Sequence, residues 1–357
     1  THGLHSVNGM LGQEMQKSAW EYLSGYRSGF LTNGATDLNL GDATTARNNG
    51  NSDANSLLSY FGRLFYSFDN KYMVTATLRH DGSSKFHPDH RWGWFPSAAV
   101  AWRVSSEDFL KDHAVINNLK LRLGWGSVGN QNTRNHGYTA LYSSVPTNWG
   151  TGLLAGNTPN EKLKWETTSS SNLGFDISIL QNRIELVADI YYKKTNNLLD
   201  ELTLPAYVGT QGQGSATPPW YNIGSLENKG IELTLNTTNV RNKNFEWRSN
   251  LVFSLNRNKV KSLATSTTAI SKSLQEGSDI TVLTRTAVGQ PIGQFYGYKV
   301  IGRFEKATDF YYKDENGDVK PTALPKNMYI DKNSAWIGDY IFEDVNKDGV
   351  IDDNDLT

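Results

Sequence analysis

Apolar and polar residues alternate with a period of two along two neighbouring runs, residues 173–179 and 184–192. Every second side chain of each run is apolar: Leu173, Phe175, Ile177 and Ile179 in the first, and Ile184, Leu186, Ala188, Ile190 and Tyr192 in the second. A period of two indicates β-strands, and Gln181-Asn182 between the runs predicts a tight turn. The pattern therefore predicts an antiparallel hairpin with one apolar and one polar face.

The length of these strands points to a membrane. Strands of soluble domains have about 5 to 6 residues, whereas these run to about a dozen. At about 3.3 Å per residue, twelve residues tilted by about 40° span close to 30 Å, which is the thickness of the bilayer core. A long hairpin in a soluble sandwich or lectin-like domain is the alternative interpretation.

The same alternation recurs along the chain and predicts about nine strands within residues 1–257. They lie near residues 3–15, 57–68, 71–82, 93–104, 119–126, 165–179, 184–197, 231–236 and 247–255. Short turns alternate with long loops, among them one of nearly forty residues ending near Asn55. This alternation is typical of outer-membrane barrels, whose long loops lie outside the cell. Residues 258–357 are rich in Gly, Ser, Thr, Asn and Asp, and we expect an extracellular loop region with one extended piece at 291–304.

Composition agrees with an all-β fold that forms part of a large antiparallel transmembrane β-barrel. Only 38% of the 357 residues are hydrophobic, and no apolar run approaches the roughly 20 residues of a membrane helix. Ten Trp, 17 Tyr and 14 Phe suit aromatic belts at the two membrane interfaces, although sugar-binding proteins are also rich in aromatic residues. A net charge of −1 argues against nucleic acid as a partner, and the absence of cysteine excludes thiol chemistry.

Nine strands do not complete a barrel, because single-chain bacterial barrels close with an even number of strands. An open edge in lipid would leave several backbone groups unpaired, each at a cost of several kcal/mol. We therefore expect the chain to be a fragment of a larger barrel, or to have partner strands elsewhere.

Several blocks of sequence resemble the C-terminal part of the barrel of SusC/RagA-type TonB-dependent transporters. They are RHDGSSKF (79–86), GWFPSAAVAWRVSSEDFL (93–110), LKLRLGWGSVGNQ (119–131) and GDYIFEDVNKDGVIDDND (338–355), with further similarity in WETTSSSNLGFD, NIGSLENKGIELTL and PIGQFYGYKVIGRF. The resemblance implies a 22-stranded barrel in the outer membrane that imports oligosaccharides or peptides. It also implies a SusD-like surface lipoprotein as partner, energy from TonB, and no enzymatic activity. The plug domain and final strands of such proteins do not occur in this chain.

An acidic stretch near the end of the chain has the spacing of a calcium-binding loop. Oxygen ligands at loop positions 1, 3, 5, 7, 9 and 12, with Gly349 at position 6, are the EF-hand arrangement. The candidate calcium ligands are Asp344, Asn346, Asp348, the Val350 carbonyl, Asp352 (directly or through water) and Asp355. Asp355 replaces the usual bidentate Glu, as in dockerin-type loops. A solvated acidic turn is the alternative, and either role is structural rather than catalytic.

Two weaker candidates are a histidine cluster and a set of aromatic residues in the loops. His80, Asp81, His87, Asp89 and His90 include zinc-ligand types, but histidine is also ordinary at a strand end. Aromatic residues of the long loops could stack on sugar rings or peptide side chains, or pack the loops together: Trp149, Tyr207, Trp220 and Tyr221.

Two functions are consistent with the sequence. The first is TonB-dependent nutrient import by a multi-pass outer-membrane barrel. The second is a secreted, calcium-stabilised β-rich protein that binds glycans or mediates adhesion. A transporter would place the apolar stripes against lipid, whereas a soluble domain would bury them.

Overall fold

The computed structural model describes residues 3–34, 36–202, 216–264, 269–276, 279–305, 311–313, 319–321, 326–327, 338–348 and 350–357. It divides into two compact units, Thr1–Ala264 and Thr265–Thr357. No helix in these ranges is long and apolar enough to cross a membrane.

Long strands dominate the first unit. They are β1 (His5–Tyr26), β2 (Arg47–Phe68), β3 (Tyr72–Ser83), β4 (Trp92–Arg103), β5 (Ile116–Asn130), β6 (Tyr142–Thr147), β7 (Gly150–Ala155), β8 (Glu166–Ile179), β9 (Ile184–Asn196), β10 (Leu199–Glu201), β11 (Trp220–Asn222), β12 (Gly224–Arg241) and β13 (Glu246–Leu263). Nine of them form one antiparallel sheet in the order β1-β2-β3-β4-β5-β8-β9-β12-β13, while β6 pairs with β7 and β10 with β11. The sheet contains nine antiparallel strands, the number that the sequence predicts, but β1, β2, β5, β12 and β13 are much longer than predicted.

The second unit contains short strands. They are β14 (Ala269–Glu276), β15 (Asp279–Ala287), β16 (Gln294–Phe295), β17 (Val300–Arg303), β18 (Tyr311–Lys313), β19 (Val319–Pro321), β20 (Lys326–Asn327), β21 (Tyr340–Phe342) and β22 (Val350–Ile351). The β14–β15 hairpin lies where the sequence pattern predicts only loop, and the extended piece expected at 291–304 is divided between β16 and β17. The assignment of residues 258–357 to an extracellular region stays a prediction.

One face of the nine-stranded sheet is a continuous apolar surface. Residues directly opposite each other on antiparallel strands point to the same side. One row of opposed residues crosses all nine strands: Val7, Tyr66, Val74, Val100, Leu123, Leu173, Ile190, Ile231 and Leu255. Leu123 is 55% exposed and Ile190 is 53% exposed, so other parts of the unit do not cover this face.

Connections at one end of the sheet are short. Asp69 and Asn70 have φ of 50° and 51°, and the Lys71 N–H donates to the Phe68 carbonyl at 2.9 Å, which closes the predicted two-residue turn. The predicted turn at Gln181-Asn182 is wider than expected, because Leu180 is also left-handed, with φ of 55°. Asn242–Phe245 joins β12 to β13, and a longer connection, residues 104–115, joins β4 to β5.

The opposite end carries the longer connections, residues 27–46, 131–165 and 197–223, together with residues 84–91. Here the prediction of a loop of nearly forty residues ending near Asn55 is wrong. β1 continues to Tyr26, β2 begins at Arg47, and the two strands pair residue by residue along their whole length. β13 likewise extends past Asn256 to Leu263. Antiparallel pairing outweighs the low strand propensity of the Asn, Gly and Ser residues in these segments.

Two groups of aromatic side chains mark the edges of the apolar face. At the short-turn end the rings of Phe68, Tyr72 and Trp102 form a chain of stacked pairs with centroids 6.3 and 6.4 Å apart. Glu107, in the connection below them, accepts hydrogen bonds from the Tyr72 hydroxyl at 2.6 Å and from the Trp102 ring N–H at 2.9 Å. These two donors hold the pKa of Glu107 below its usual value.

At the long-loop end, His80 stacks between two tryptophans. Its ring centroid lies 4.7 Å from that of Trp92 and 3.9 Å from that of Trp94. Ten residues separate Trp92 from Trp102 on β4, which corresponds to about 25 Å of depth for a strand tilted by about 40°. That distance matches the apolar band of an outer-membrane barrel.

Candidate transport path and acidic loop

The polar face of the sheet, opposite the apolar one, holds an ion-pair cluster that ties β5, β8 and β9 together. Arg122 donates through Nε and Nη2 to Asp176, with distances of 2.8 to 3.1 Å, and through Nη2 to Asp189 at 3.1 Å. The three side chains are only 19 to 32% exposed. The second oxygen of Asp189 is buried and has no hydrogen-bond partner among the described residues.

Glycine at position 174 makes this cluster possible. Gly174 lies between Arg122 and Asp189 in the cross-strand row. A Cβ atom at this position would lie 2.5 Å from the guanidinium carbon of Arg122. Without a side chain on Gly174, Arg122 can reach over β8 to the carboxylate on β9.

A second ion-pair cluster lies on the polar face of β1, β2 and β3. Arg79 donates to Asp81 at 2.8 and 3.0 Å, to the Ser59 hydroxyl at 2.8 Å and to Glu14 at 3.0 Å. Its guanidinium carbon lies 5.4 Å from the centroid of the Phe61 ring. The polar face is thus lined with charged groups held by cross-strand pairs.

The loop end above the polar face rests on a small buried core. Phe86 and Leu163 are fully buried, and Phe95 and Trp165 are nearly so. The Trp165 ring N–H donates to the Arg91 carbonyl at 2.8 Å. Sequence reasoning missed this core, because its members are scattered over loops and strand ends without periodicity.

The aromatic candidates of the loops separate into exposed and packed residues. Trp149, beside the turn of the β6–β7 hairpin, is 95% exposed, and Tyr221 on β11 is 38% exposed. Trp220 instead packs against the buried core and donates its ring N–H to Glu201 at 3.1 Å. Tyr207 lies outside the described residues.

The histidine cluster does not form a zinc site. His80 and Asp81 are successive residues of β3 and point to opposite faces, so they cannot share an ion. The carboxylate of Asp81 forms an ion pair with the guanidinium of Arg79. Among the described residues, no three His, Asp or Glu side chains are arranged to hold a metal.

The acidic loop of the second unit is organised by Asp355. This fully buried carboxylate accepts hydrogen bonds from the backbone N–H groups of Val345 (2.8 Å), Asn346 (3.3 Å) and Asp352 (2.9 Å). The N–H of Asp352 is the largest of the effects that lower the pKa of Asp355.

The first half of the acidic loop is a compact turn. The Asp348 N–H donates to the side chains of Asp344 at 3.2 Å and Asn346 at 2.9 Å. Val350 begins the two-residue strand β22, and Gly349 lies outside the described residues. Side-chain acceptors of the predicted ligand set thus bind backbone N–H groups, as they would in a preformed turn, and the calcium site stays a prediction.

Long antiparallel strands, one bare apolar face, aromatic edges and segregated loops together define an outer-membrane β-barrel segment. The chain belongs to the family described as TonB dependent receptor-like, beta-barrel, whose model matches residues 2–342. The predicted fold class, SusC/RagA resemblance and outer-membrane location are confirmed over the soluble alternative. The family is one of receptors, which also confirms the expectation that the chain is not an enzyme.

Sequence relatives support the assignment of the chain to this family. The chain is 34% identical over 343 residues to TonB-dependent receptor P26 of Formosa agariphila, covering 93% of this chain and 33% of that protein. It is 37% identical over 294 residues to TonB-dependent receptor SusC of Bacteroides thetaiotaomicron, covering 78% of this chain and 27% of SusC. The chain therefore spans about a third of the length of these curated relatives.

Solved structures share the fold. The RagAB peptide transporter matches with a TM-score of 0.74 at 22% identity, covering 89% of this chain and 34% of the matched chain. At this identity the match shows the fold alone.

Proposed function

We propose that the protein imports oligosaccharides or peptides across the outer membrane, driven by TonB and assisted by a SusD-like surface lipoprotein. The observation that carries this proposal is the division of one sheet into a bare apolar face and a charged polar face. A closed barrel with this wall would present lipid with the first and a water-filled path with the second. The relative named TonB-dependent receptor SusC supports dependence on TonB, and the fold is shared with a structure titled a peptide transporter.

The exposed aromatic residues of the loop end favour cargo with flat apolar surfaces, such as sugar rings or aromatic peptide side chains. Trp149 presents nearly its whole indole to solvent at a hairpin tip. Stacking on an aromatic ring suits both cargo classes, so the two must be offered together in one assay.

The cargo test uses the protein isolated from its native membrane with any bound partner. It is incubated with a mixture of neutral oligosaccharides and peptides, and the retained molecules are identified by mass spectrometry. We expect one class to be retained and the Trp149→Ala variant to retain less of it. Trp94→Ala, which removes an exposed indole from the lipid-facing side, is the matched control. Retention of neither class, or equal losses in both variants, would contradict the proposal.

A projecting ribbon at the loop end supports the lipoprotein partner. β2 pairs with β3 only up to Leu57, so residues 17–26 and 47–56 form a two-stranded ribbon above the sheet. Its exposed side chains include Trp20, Tyr22 and Leu23, and Leu23 is 82% exposed. Such a surface on the extracellular side suits a protein partner at the cell surface.

Co-purification tests this partner surface. Leu23→Glu places a charge on the ribbon, and we expect it to reduce the amount of lipoprotein that co-purifies with the barrel. Ser24→Glu, one residue along, places the charge on the opposite face of the ribbon, which carries Trp20 and Tyr22, and shows which face the partner contacts. Undiminished co-purification with both variants would show that the ribbon is not the docking surface.

TonB dependence is tested in cells of the source organism. Uptake of the identified cargo is expected to stop when TonB function is removed, while cargo binding to the purified protein persists. Uptake that continues without TonB would refute this part of the proposal.

We also propose that the acidic loop binds a structural calcium ion through Asp344, Asn346, Asp348, the Val350 carbonyl, Asp352 and Asp355. Several carboxylates within twelve residues repel one another, and a divalent cation would offset that repulsion. In the structure Asp355 accepts three backbone hydrogen bonds, and no three of the described carboxylates are arranged to hold a metal, so calcium binding would require the loop to rearrange.

Calorimetric titration with calcium after chelation tests the ion site. Asp348→Asn removes a charge at ligand position 5 and is expected to weaken binding, whereas Asp353→Asn removes a charge at a position outside the ligand pattern. Equal effects of the two substitutions would indicate a diffuse acidic turn, and an absence of binding heat would exclude the site.

A further inference from the structure

A group of basic side chains lies on the lipid-facing side of β9, β12 and β13, just above the apolar stripe. The last apolar row there contains Ile190, Ile231 and Leu255. Two residues further toward the loop end, Lys229 on β12 is directly opposite Arg257 on β13. In the row beyond, Lys194, Glu227 and Lys259 lie side by side on the three strands.

The height of these residues is set by the strands. Two residues along a strand tilted by about 40° correspond to about 5 Å of depth, and four residues to about 10 Å. Lys229 and Lys259 therefore lie about 5 to 10 Å above the last apolar row. Because this is the long-loop end, their level is that of the outer-leaflet headgroups.

The basic group is under-neutralised within the described part of the chain. Its one carboxylate, Glu227, lies 3.4 Å from Lys261 Nζ. Lys229, Arg257 and Lys259 are exposed and form no ion pair with described residues. Like charges directly opposite each other on paired strands destabilise a sheet, so the Lys229–Arg257 pair has a cost that a bound anion would offset.

The cations are local and do not form a belt around the sheet. At the same end, the lipid-facing side of β2, β3 and β4 carries Tyr60, His80, Trp92 and Trp94, with rings stacked on one another. On the lipid-facing side the residues at this end are therefore aromatic on β2, β3 and β4 and basic on β9, β12 and β13. A local basic group of this kind favours one specific binding site over a general attraction to anionic lipid.

We propose that Lys229, Arg257 and Lys259 bind the phosphate of a phosphorylated lipid in the outer leaflet of the membrane. Directly opposed side chains on antiparallel strands have Cβ atoms about 5 Å apart, and side chains two residues apart on a strand are about 7 Å apart. Three long basic side chains at these spacings can converge on one phosphate, with the guanidinium of Arg257 binding two of its oxygens. Acyl chains of the same lipid would lie along the apolar rows beneath.

Native mass spectrometry of the protein extracted from its own outer membrane tests this site. The variant carries Lys229→Gln, Arg257→Gln and Lys259→Gln together. Each basic residue near an anionic lipid surface contributes about a fivefold gain in affinity, so we expect the retained phosphorylated lipid to fall by at least about tenfold. Lys193→Gln is the control, because Lys193 lies on β9 but faces the polar side, over the Tyr191 ring.

Added lipids separate the sources of phosphate. Delipidated protein should bind the phosphorylated lipid, and neither its dephosphorylated form nor inorganic phosphate should compete. Heat-dependent gel migration verifies that both variants are folded. Unchanged lipid retention in the folded triple variant, equal binding of the dephosphorylated lipid, or displacement by inorganic phosphate would each overturn the proposal.

Discussion

Replacing Leu233 with arginine tests directly which face of the sheet contacts lipid. Leu233 lies on β12 between Ala188 of β9 and Phe253 of β13, within the apolar rows. It is four residues below Lys229, or about 10 Å deeper along a tilted strand. That depth is close to the middle of an apolar band about 25 Å tall.

The expected cost follows from this depth. An arginine on the lipid face of a barrel destabilises the fold by about 2 to 4 kcal/mol at the bilayer midplane and by much less near the interfaces. Thr234→Arg places the same side chain one residue along, on the polar face, where water is accessible. We expect that control to cost less than about 1 kcal/mol.

Denaturant unfolding of the protein in lipid vesicles measures both variants, with heat-dependent gel migration as an independent readout. A Leu233→Arg variant that unfolds at the denaturant concentration of the unmodified protein would refute the lipid assignment of this face. Equal destabilisation by Thr234→Arg would refute the assignment of the polar face to a water-accessible path.

Three further substitutions test other parts of the structure. Phe86→Ala should destabilise the fold by about 3 to 5 kcal/mol, because it leaves a cavity in the buried core of the loop end. We expect trypsin to cleave the loops faster in this variant, and unchanged cleavage would contradict the prediction. Arg122→Met should lower the free energy of unfolding, measured with denaturant, by about 1 to 3 kcal/mol, because it leaves two carboxylates unpaired. Adding Asp176→Asn and Asp189→Asn should restore part of this free energy. No recovery would mean that Arg122 acts through packing. The pKa of Glu107 is lowered in the folded protein, so its contribution to stability is present above its unfolded pKa and is lost as pH falls through its folded pKa. Glu107→Gln should therefore reduce the acid dependence of unfolding, and an unaltered pH profile would exclude this role.

The sequence predicts the strands best where apolar residues recur with period two. Leu173 to Ile179 and Ile231 to Leu235 are of this kind, and their faces are correctly predicted. The upper halves of β1 and β2 carry no such signal, since residues 48–52 read Asn-Asn-Gly-Asn-Ser. Their strand conformation comes from the pairing of β1 with β2 over the full 22-residue register, which is a long-range effect that local propensity does not contain.

The ion pairs on the polar face could not be predicted from the sequence, for a related reason. Alternation assigns Arg122 and Asp189 to the polar face, but only the register places them in one row with Gly174 between them. A shift of one residue in either pairing would move Asp189 to the lipid side. The apolar row on one face and the ion pairs on the other are therefore consequences of a single register, and a substitution that disturbs one is expected to disturb the other.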